Sequence, residues 1–234
     1  MKISVITVCF NAEKTIEETI LSVTNQTYEN TEFIIIDGKS TDNTLSIIQK
    51  HTKKIATVIS EPDKGIYDAM NKGMRLATGD FVIFLGADDH FISFDTLKNV
   101  APYLKEKYTI YYGNVFRPIG NNLYCGRFNK YKLAIKNIPH QGMFFPKEVY
   151  KNYPYLTKYK IFSDYYNNII LFKKYPFKYI NQTISFFNNT GISAHGIDKE
   201  FNKIKNQTII AHLGIIPFLI SKIYQQLRNL YKKL

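Results

Sequence analysis

An α/β fold, built on a mostly parallel sheet with helices on both faces, is predicted by three observations. Short apolar runs alternate with helical periodicity through the first 85 residues. Carboxylates collect just past the ends of those runs. The chain has 234 residues with 45% hydrophobic content but only two cysteines, enough to bury a core and too few for a disulfide framework.

Residues 3–8 are a continuous apolar strand rich in β-branched side chains, and Ile16, Ile20 and Val23 then recur at helical spacing within 13–25. The unit repeats as a strand at 33–36 with a helix from about residue 43, a strand at 55–59 with a helix at 66–76, and a strand at 81–85. Strands without polar alternation are buried on both faces, as parallel strands are. Past residue 100 the regularity falls: a helix to 107, a strand at 109–115, a turn at 118–122 and further short segments form an α+β region. Residues 199–234 read as helical, interrupted near Gly214 and Pro217. Ile220, Ile223, Leu227, Leu230 and Leu234 recur there at three- and four-residue spacing, punctuated by Lys222, Arg228, Lys232 and Lys233, a basic amphipathic tail. The expected division is 1–115, 116–198 and 199–234.

The formal net charge of +12 is unevenly spread. Residues 1–100 carry 10 basic and 14 acidic groups, residues 101–234 carry 21 and 5, and 27 of the 35 Tyr and Phe lie in the second part. A basic, aromatic chain invites a nucleic-acid reading, but the edge where ligands would bind is acidic and no basic Gly/aromatic signature of an RNA module occurs. No signal-peptide pattern opens the chain and no stretch is apolar enough to span a membrane, so the expectation is a reducing, cytoplasmic location.

In open α/β sheets ligands bind beyond the carboxyl ends of the strands. Asp37 closes the second strand, Glu61 and Asp63 follow the third, and Asp88 and Asp89 follow the fourth. Carboxylates gathered at one edge repel unless a cation or hydrogen-bond donors lie between them. All-oxygen ligands favour Mg²⁺ or Mn²⁺, held by one or two carboxylates and a substrate diphosphate. The other reading is that these are turn and cap residues, for which Ser40 and Asp42 are well suited.

Four segments resemble family 2 glycosyltransferases in order and spacing: Ser-Val-Ile-Thr-Val-Cys-Phe-Asn at 4–11, Phe-Ile-Ile-Ile-Asp-Gly-Lys-Ser-Thr-Asp-Asn-Thr at 33–44, Glu-Pro-Asp-Lys-Gly-Ile-Tyr-Asp-Ala-Met-Asn-Lys-Gly at 61–73, and Ala-Thr-Gly-Asp-Phe-Val-Ile-Phe-Leu-Gly-Ala-Asp-Asp at 77–89. The third is similar to bacterial members that build surface polysaccharides. The resemblance implies a GT-A fold, inverting transfer from a nucleotide sugar, usually a UDP-sugar, and a divalent metal. On it, 1–115 becomes the nucleotide-sugar half, 116–198 the acceptor and catalytic-base half, and 199–234 the tail. Thr7, Cys9 and Asn11 match the first nucleotide loop, Asp37 the acid that bonds uracil or ribose, and Asp63 a second base contact, with Lys64, Asn71 and Ala87 in the same donor set. Asp88 matches the metal-binding aspartate of the Asp-x-Asp motif, with Asp89 beside it, although Gly86 stands where the first aspartate often is.

Ile-Phe-Ser-Asp-Tyr-Tyr at 161–166 resembles the family's late acidic motif, which makes Asp164 the candidate base. Inverting transfer needs one carboxylate to take the acceptor hydroxyl's proton, and no covalent sugar-enzyme intermediate. The alternative is a first-turn carboxylate favoured by the helix dipole. Pro-His-Gln-Gly-Met at 139–143 resembles a shared acceptor segment, naming His140 and Gln141, while a lone histidine is as often structural. Residues 191–195 resemble a late loop. No Gln-x-x-Arg-Trp motif and no Trp occur, so one sugar per acceptor is expected. The expected partner is a polyprenyl-diphosphate-linked acceptor, with the tail either on the inner face of the plasma membrane or packed on the domain or on a second subunit. A non-catalytic nucleotide-sugar binder stays open because of Gly86.

Overall fold

A computed structural model describes residues 1–118, 120–124, 126–188 and 196–231. Cys125, the 191–195 loop and Lys232 to Leu234 lie outside them.

Four parallel strands joined by three helices open the chain. Strands β1 (Ile3–Cys9), β2 (Thr31–Asp37), β3 (Thr57–Ser60) and β4 (Phe81–Gly86) are joined by helices α1 (Ile16–Thr24), α2 (Thr44–Lys50) and α3 (Ile66–Leu76). Their parallel order is β3-β2-β1-β4. The apolar runs are continuous because both faces are covered: Ile6, Val8, Ile34, Ile36, Val82 and Phe84 pack into one core, and their neighbours Ile3, Val5, Phe33, Ile35, Phe81 and Ile83 into the other.

After β5 (His90–Phe91) and α4 (Thr96–Val100), the chain adds β6 (Ile110–Arg117), β7 (Asn122–Tyr124), α5 (Lys130–Ile135), β8 (Met143–Pro146), α6 (Lys147–Tyr150), α7 (Ser163–Lys174), β9 (Phe177–Phe186), α8 (Lys199–Leu213) and α9 (Ile215–Tyr231). The helix expected to reach 107 ends at Val100 and continues only as a 3₁₀ turn at Ala101–Tyr103, because Pro102 has no N–H to extend the ladder. Asn121 N donates to Pro118 O, closing the expected turn. The helical tail divides at Gly214, whose φ of +102° a side chain would resist.

The second half of the sheet is mixed. β4 pairs antiparallel with β8, β8 with β6, β6 runs parallel to β9, and β9 pairs antiparallel with β5. β5 starts four residues after β4 ends yet lies four places along the sheet, so the sheet must curl until β9 returns beside the end of β4. That curl brings the Asp88–Asp89 turn against the second half. Among the described residues no helix is long and apolar enough to cross a membrane.

At the opposite edge, Glu32 locks β1, β2 and the turn before β4. It accepts from the Ser4 hydroxyl, the Thr78 N–H and hydroxyl, and the Lys2 ammonium. Burial alone would raise its pKa, but these donors outweigh it and hold the carboxyl at about 2. A depressed folded-state pKa contributes stability that is complete above the unfolded value near 4.5 and gone by about pH 2. Glu32→Gln is expected to cost about 2 kcal/mol at neutral pH, with the difference from wild type shrinking through that window in urea titrations at successive pH values.

Candidate active site

The donor edge is assembled by loops that hydrogen-bond one another. Cys9 and Asp37 are in register across β1 and β2, and Asp37 and Ser60 across β2 and β3. Asn11, in the left-handed region at φ +50°, gives its N–H to Ser40 Oγ and takes the Thr41 N–H on Oδ1. Ala12 N donates to Thr44 Oγ1 and Glu13 N to Asp42 Oδ2, so the loops after β1 and β2 move as one.

Asp37 is fully buried and accepts from the Ser40 N–H and hydroxyl, from Ser60 Oγ at 2.6 Å and from Cys9 Sγ at 3.6 Å. Burial, then the Asp37 charge, pushes the Cys9 thiol far above its ordinary range, so it stays neutral and supports Asp37. Asp63 accepts from Gly65 N, and its Oδ2 lies over Gly38, 2.5 Å from where a β-carbon there would stand. The ring of Phe10 reaches the same point at 3.4 Å while 62% exposed. The first segment carried Phe10 in plain view, between the two residues singled out. An exposed aromatic at a strand's carboxyl end is the signal that would have found it.

Three expected donor residues sit elsewhere than at an open surface. Thr7 is fully buried within β1, and among the described residues its hydroxyl has no hydrogen-bond partner. Asn71 is committed to the Tyr155 backbone, donating to its O and accepting from its N, both at 2.8 Å. It clamps the segment ahead of α7 onto α3. Ala87 packs against the core. Lys64 is exposed before α3, its N–H on Asp68 and its carbonyl accepting from Lys160.

The Asp88–Asp89 pair divides its work. Asp89 is 1% exposed and accepts from Gly86 N at 3.0 Å, Gln141 Nε2 at 2.9 Å and Asn188 N at 2.9 Å. Burial, then the Asp88 charge, raises its pKa to about 6 against those donors. Asp89 is thus a tie between segments, not an open ligand. Asp88 is half-buried, burial raises its pKa, and among the described residues no other residue donates to its carboxylate. A cation is the natural complement of such a group. Among the described residues no group of three or more His, Cys, Asp or Glu could hold a metal. Gly86 is explained by space: a β-carbon there would stand 2.8 Å from Asp89 Oδ2 and 3.0 Å from Asp88 Oδ1.

Asp164 lies in the first turn of α7, 8% exposed. Its Oδ1 accepts from Tyr67 Oη and from Tyr165 N, both at 2.8 Å. Its Oδ2 accepts from Asn137 Nδ2 at 2.7 Å, with His140 Nδ1 at 3.4 Å. Burial, then the Asp164 charge, raises the pKa of both Tyr67 and Tyr155, leaving neutral phenols around the carboxylate. The short segment 137–142 therefore touches both centres: Asn137 and His140 hold Asp164, and Gln141 holds Asp89. Asn137 and Tyr67 had no sequence signal, since neither belongs to a pattern that points at residue 164.

The family model for glycosyl transferase family 2 matches residues 4–180. A PGL/p-HBAD biosynthesis glycosyltransferase of Mycobacterium bovis is 32% identical over 222 residues, covering 91% of this chain and 86% of its own. The UDP-Glc:alpha-D-GlcNAc-diphosphoundecaprenol beta-1,3-glucosyltransferase WfgD of Escherichia coli is 35% identical over 127 residues, 54% of this chain and 50% of its own. Among solved structures, Staphylococcus aureus TarS 1–349 in complex with UDP-GlcNAc aligns with a TM-score of 0.74 at 18% identity, over 91% of this chain and 67% of that one. A mannosyltransferase from Pyrobaculum calidifontis in complex with GDP-Man and Mn²⁺ aligns at 0.64 and 19% identity, over 90% of this chain and 62% of that one. These likenesses show a shared fold, GT-A.

The crowding at residue 86 sets a test. Gly86→Ala is expected to destabilise the chain by about 1–3 kcal/mol, read by urea unfolding, because its methyl would push the two carboxylates apart. Wild-type stability would mean that the pair yields freely.

Proposed function

The chain belongs to glycosyl transferase family 2, and from this premise we propose that it transfers a sugar from a nucleotide sugar, a UDP-sugar by preference, to a lipid-linked glycan acceptor with inversion at the anomeric carbon. The observation that carries the reading is the seating of Asp164, held by Tyr67, Asn137 and His140 on the segment that also grips the donor edge through Gln141.

In this reading the nucleotide lies along the ends of β1 to β3. Phe10 offers a face for the base, and Asp63 a carboxylate for an imide N–H or a ribose hydroxyl. The diphosphate reaches the turn that carries Asp88. A Mg²⁺ or Mn²⁺ held there by Asp88 would offset charge growing on the leaving diphosphate. Asp164 takes the proton of the acceptor hydroxyl as that oxygen bonds to the anomeric carbon; the bond from that carbon to the diphosphate oxygen breaks, and the nucleoside diphosphate leaves. One displacement inverts the configuration, so a single carboxylate suffices. The fixed donors around Asp164 set its direction before the acceptor arrives. The acceptor class is supported by the Escherichia coli relative, named for a diphosphoundecaprenol-linked acceptor. Nothing in the chain resembles the processive motif, which supports one sugar per acceptor.

Two measurements test this. With a panel of nucleotide sugars, a polyprenyl-diphosphate-linked acceptor and Mn²⁺, Asp164→Asn should lower turnover on the order of a hundredfold or more while the donor Kd stays near wild type; a variant of near-normal rate removes Asp164 from the role. By calorimetry, Phe10→Ala should weaken nucleotide binding about tenfold, and an unchanged Kd would place the base elsewhere.

A further inference from the structure

The last helix, α9, carries its apolar stripe on the wrong side for a globular protein. At about 100° per residue, Ile216, Leu219, Ile220, Ile223, Leu227 and Leu230 fall within an arc of about 100°. All six are between 37% and 61% exposed. Only Pro217 and Ser221, on the opposite side, are buried, where α9 rests on α5 and α8. An amphipathic helix that belonged to the core would turn the other way.

We propose that this outward face docks α9 flat into the surface of an anionic lipid bilayer. The helix has 17 residues, about 25 Å, which suits lying in the interface and not crossing it. The charges complement such a surface: Lys222 and Arg228 flank the stripe on its two sides, and the sequence contains no acidic residue after Glu200. A second copy fits less well, because two such helices would bring cations together with no carboxylate on either to pair with them. The docking would hold the cleft close to the membrane. Asp198 caps α8 at Phe201 N and accepts from the N–H groups of Ile161 and Phe162, just ahead of Asp164. The helical pair is thereby joined to the backbone that carries the candidate base, within reach of an acceptor anchored in lipid.

The test uses the full chain and no transfer reaction, so its outcome is separate from that of the proposed function. In flotation with phosphatidylcholine vesicles containing about 30% phosphatidylglycerol at about 0.15 M salt, the wild type should bind, and bind far less to pure phosphatidylcholine. The double variant Ile223→Glu, Leu227→Glu should lose at least about tenfold in partition, with its circular dichroism and nucleotide affinity unchanged. Lys222→Gln and Arg228→Gln should each lower binding to anionic vesicles on the order of fivefold. A wild type that fails to float, or a double variant that floats as well, overturns the proposal. So does a dimer in sedimentation velocity that the double variant splits, since the face then belongs to a second copy.

Discussion

One buried carboxylate holds the site together. Asp89 takes a donor from each of three segments that are distant in the chain: the end of β4, the 3₁₀ turn before β8, and the stretch after β9. Only a curled sheet brings those three to one point, and only a group with several acceptor positions can use them all. Left unpaired at that depth, a carboxylate would cost several kcal/mol, so the curl and the tie depend on each other. The same tie explains the glycine before it and frees Asp88 for a ligand. The two adjacent acids differ: one is buried and takes three donors, the other is half-buried and takes none from other residues among those described.

Helix α3 supports the opposite wall. Tyr67 reaches Asp164 and Asn71 grips Tyr155, so one helix that begins at the donor edge also sets the position of the candidate base. Side chains on helices and strands, locked by packing, hold a constellation better than loops do. The loops after β1 and β2 gain comparable rigidity by bonding to each other through Asn11, Ser40, Asp42 and Thr44.

The parallel half was legible because burial on both faces writes an uninterrupted apolar run, and helix α3 falls where its periodicity placed it, at Ile66–Leu76. The second half was less so: β7, β8 and α6 are three or four residues long, too short for a period to register. At the site, position along the chain identified the acids but not their directions. Asp88 and Asp89 are indistinguishable as neighbours in sequence, and what separates them is a donor 52 residues away and another 99 away. Asn71 likewise looked like a donor contact because of the segment it belongs to, while its amide serves a backbone 84 residues distant. Phe10 could have been chosen from its place alone. The tail's stripe was plain in its periodicity, and its outward aim was not, because aim is fixed by the Gly214 break and by what α8 and α5 leave uncovered.

The site turns on the division of labour between the two aspartates. A crystal structure of the chain with UDP and Mn²⁺ tests it most directly. The ion is expected on Asp88 and the diphosphate, with Asp89 still holding Gly86 N, Gln141 and Asn188 N. An ion ligated by Asp89, with Gln141 released from it, would contradict this division.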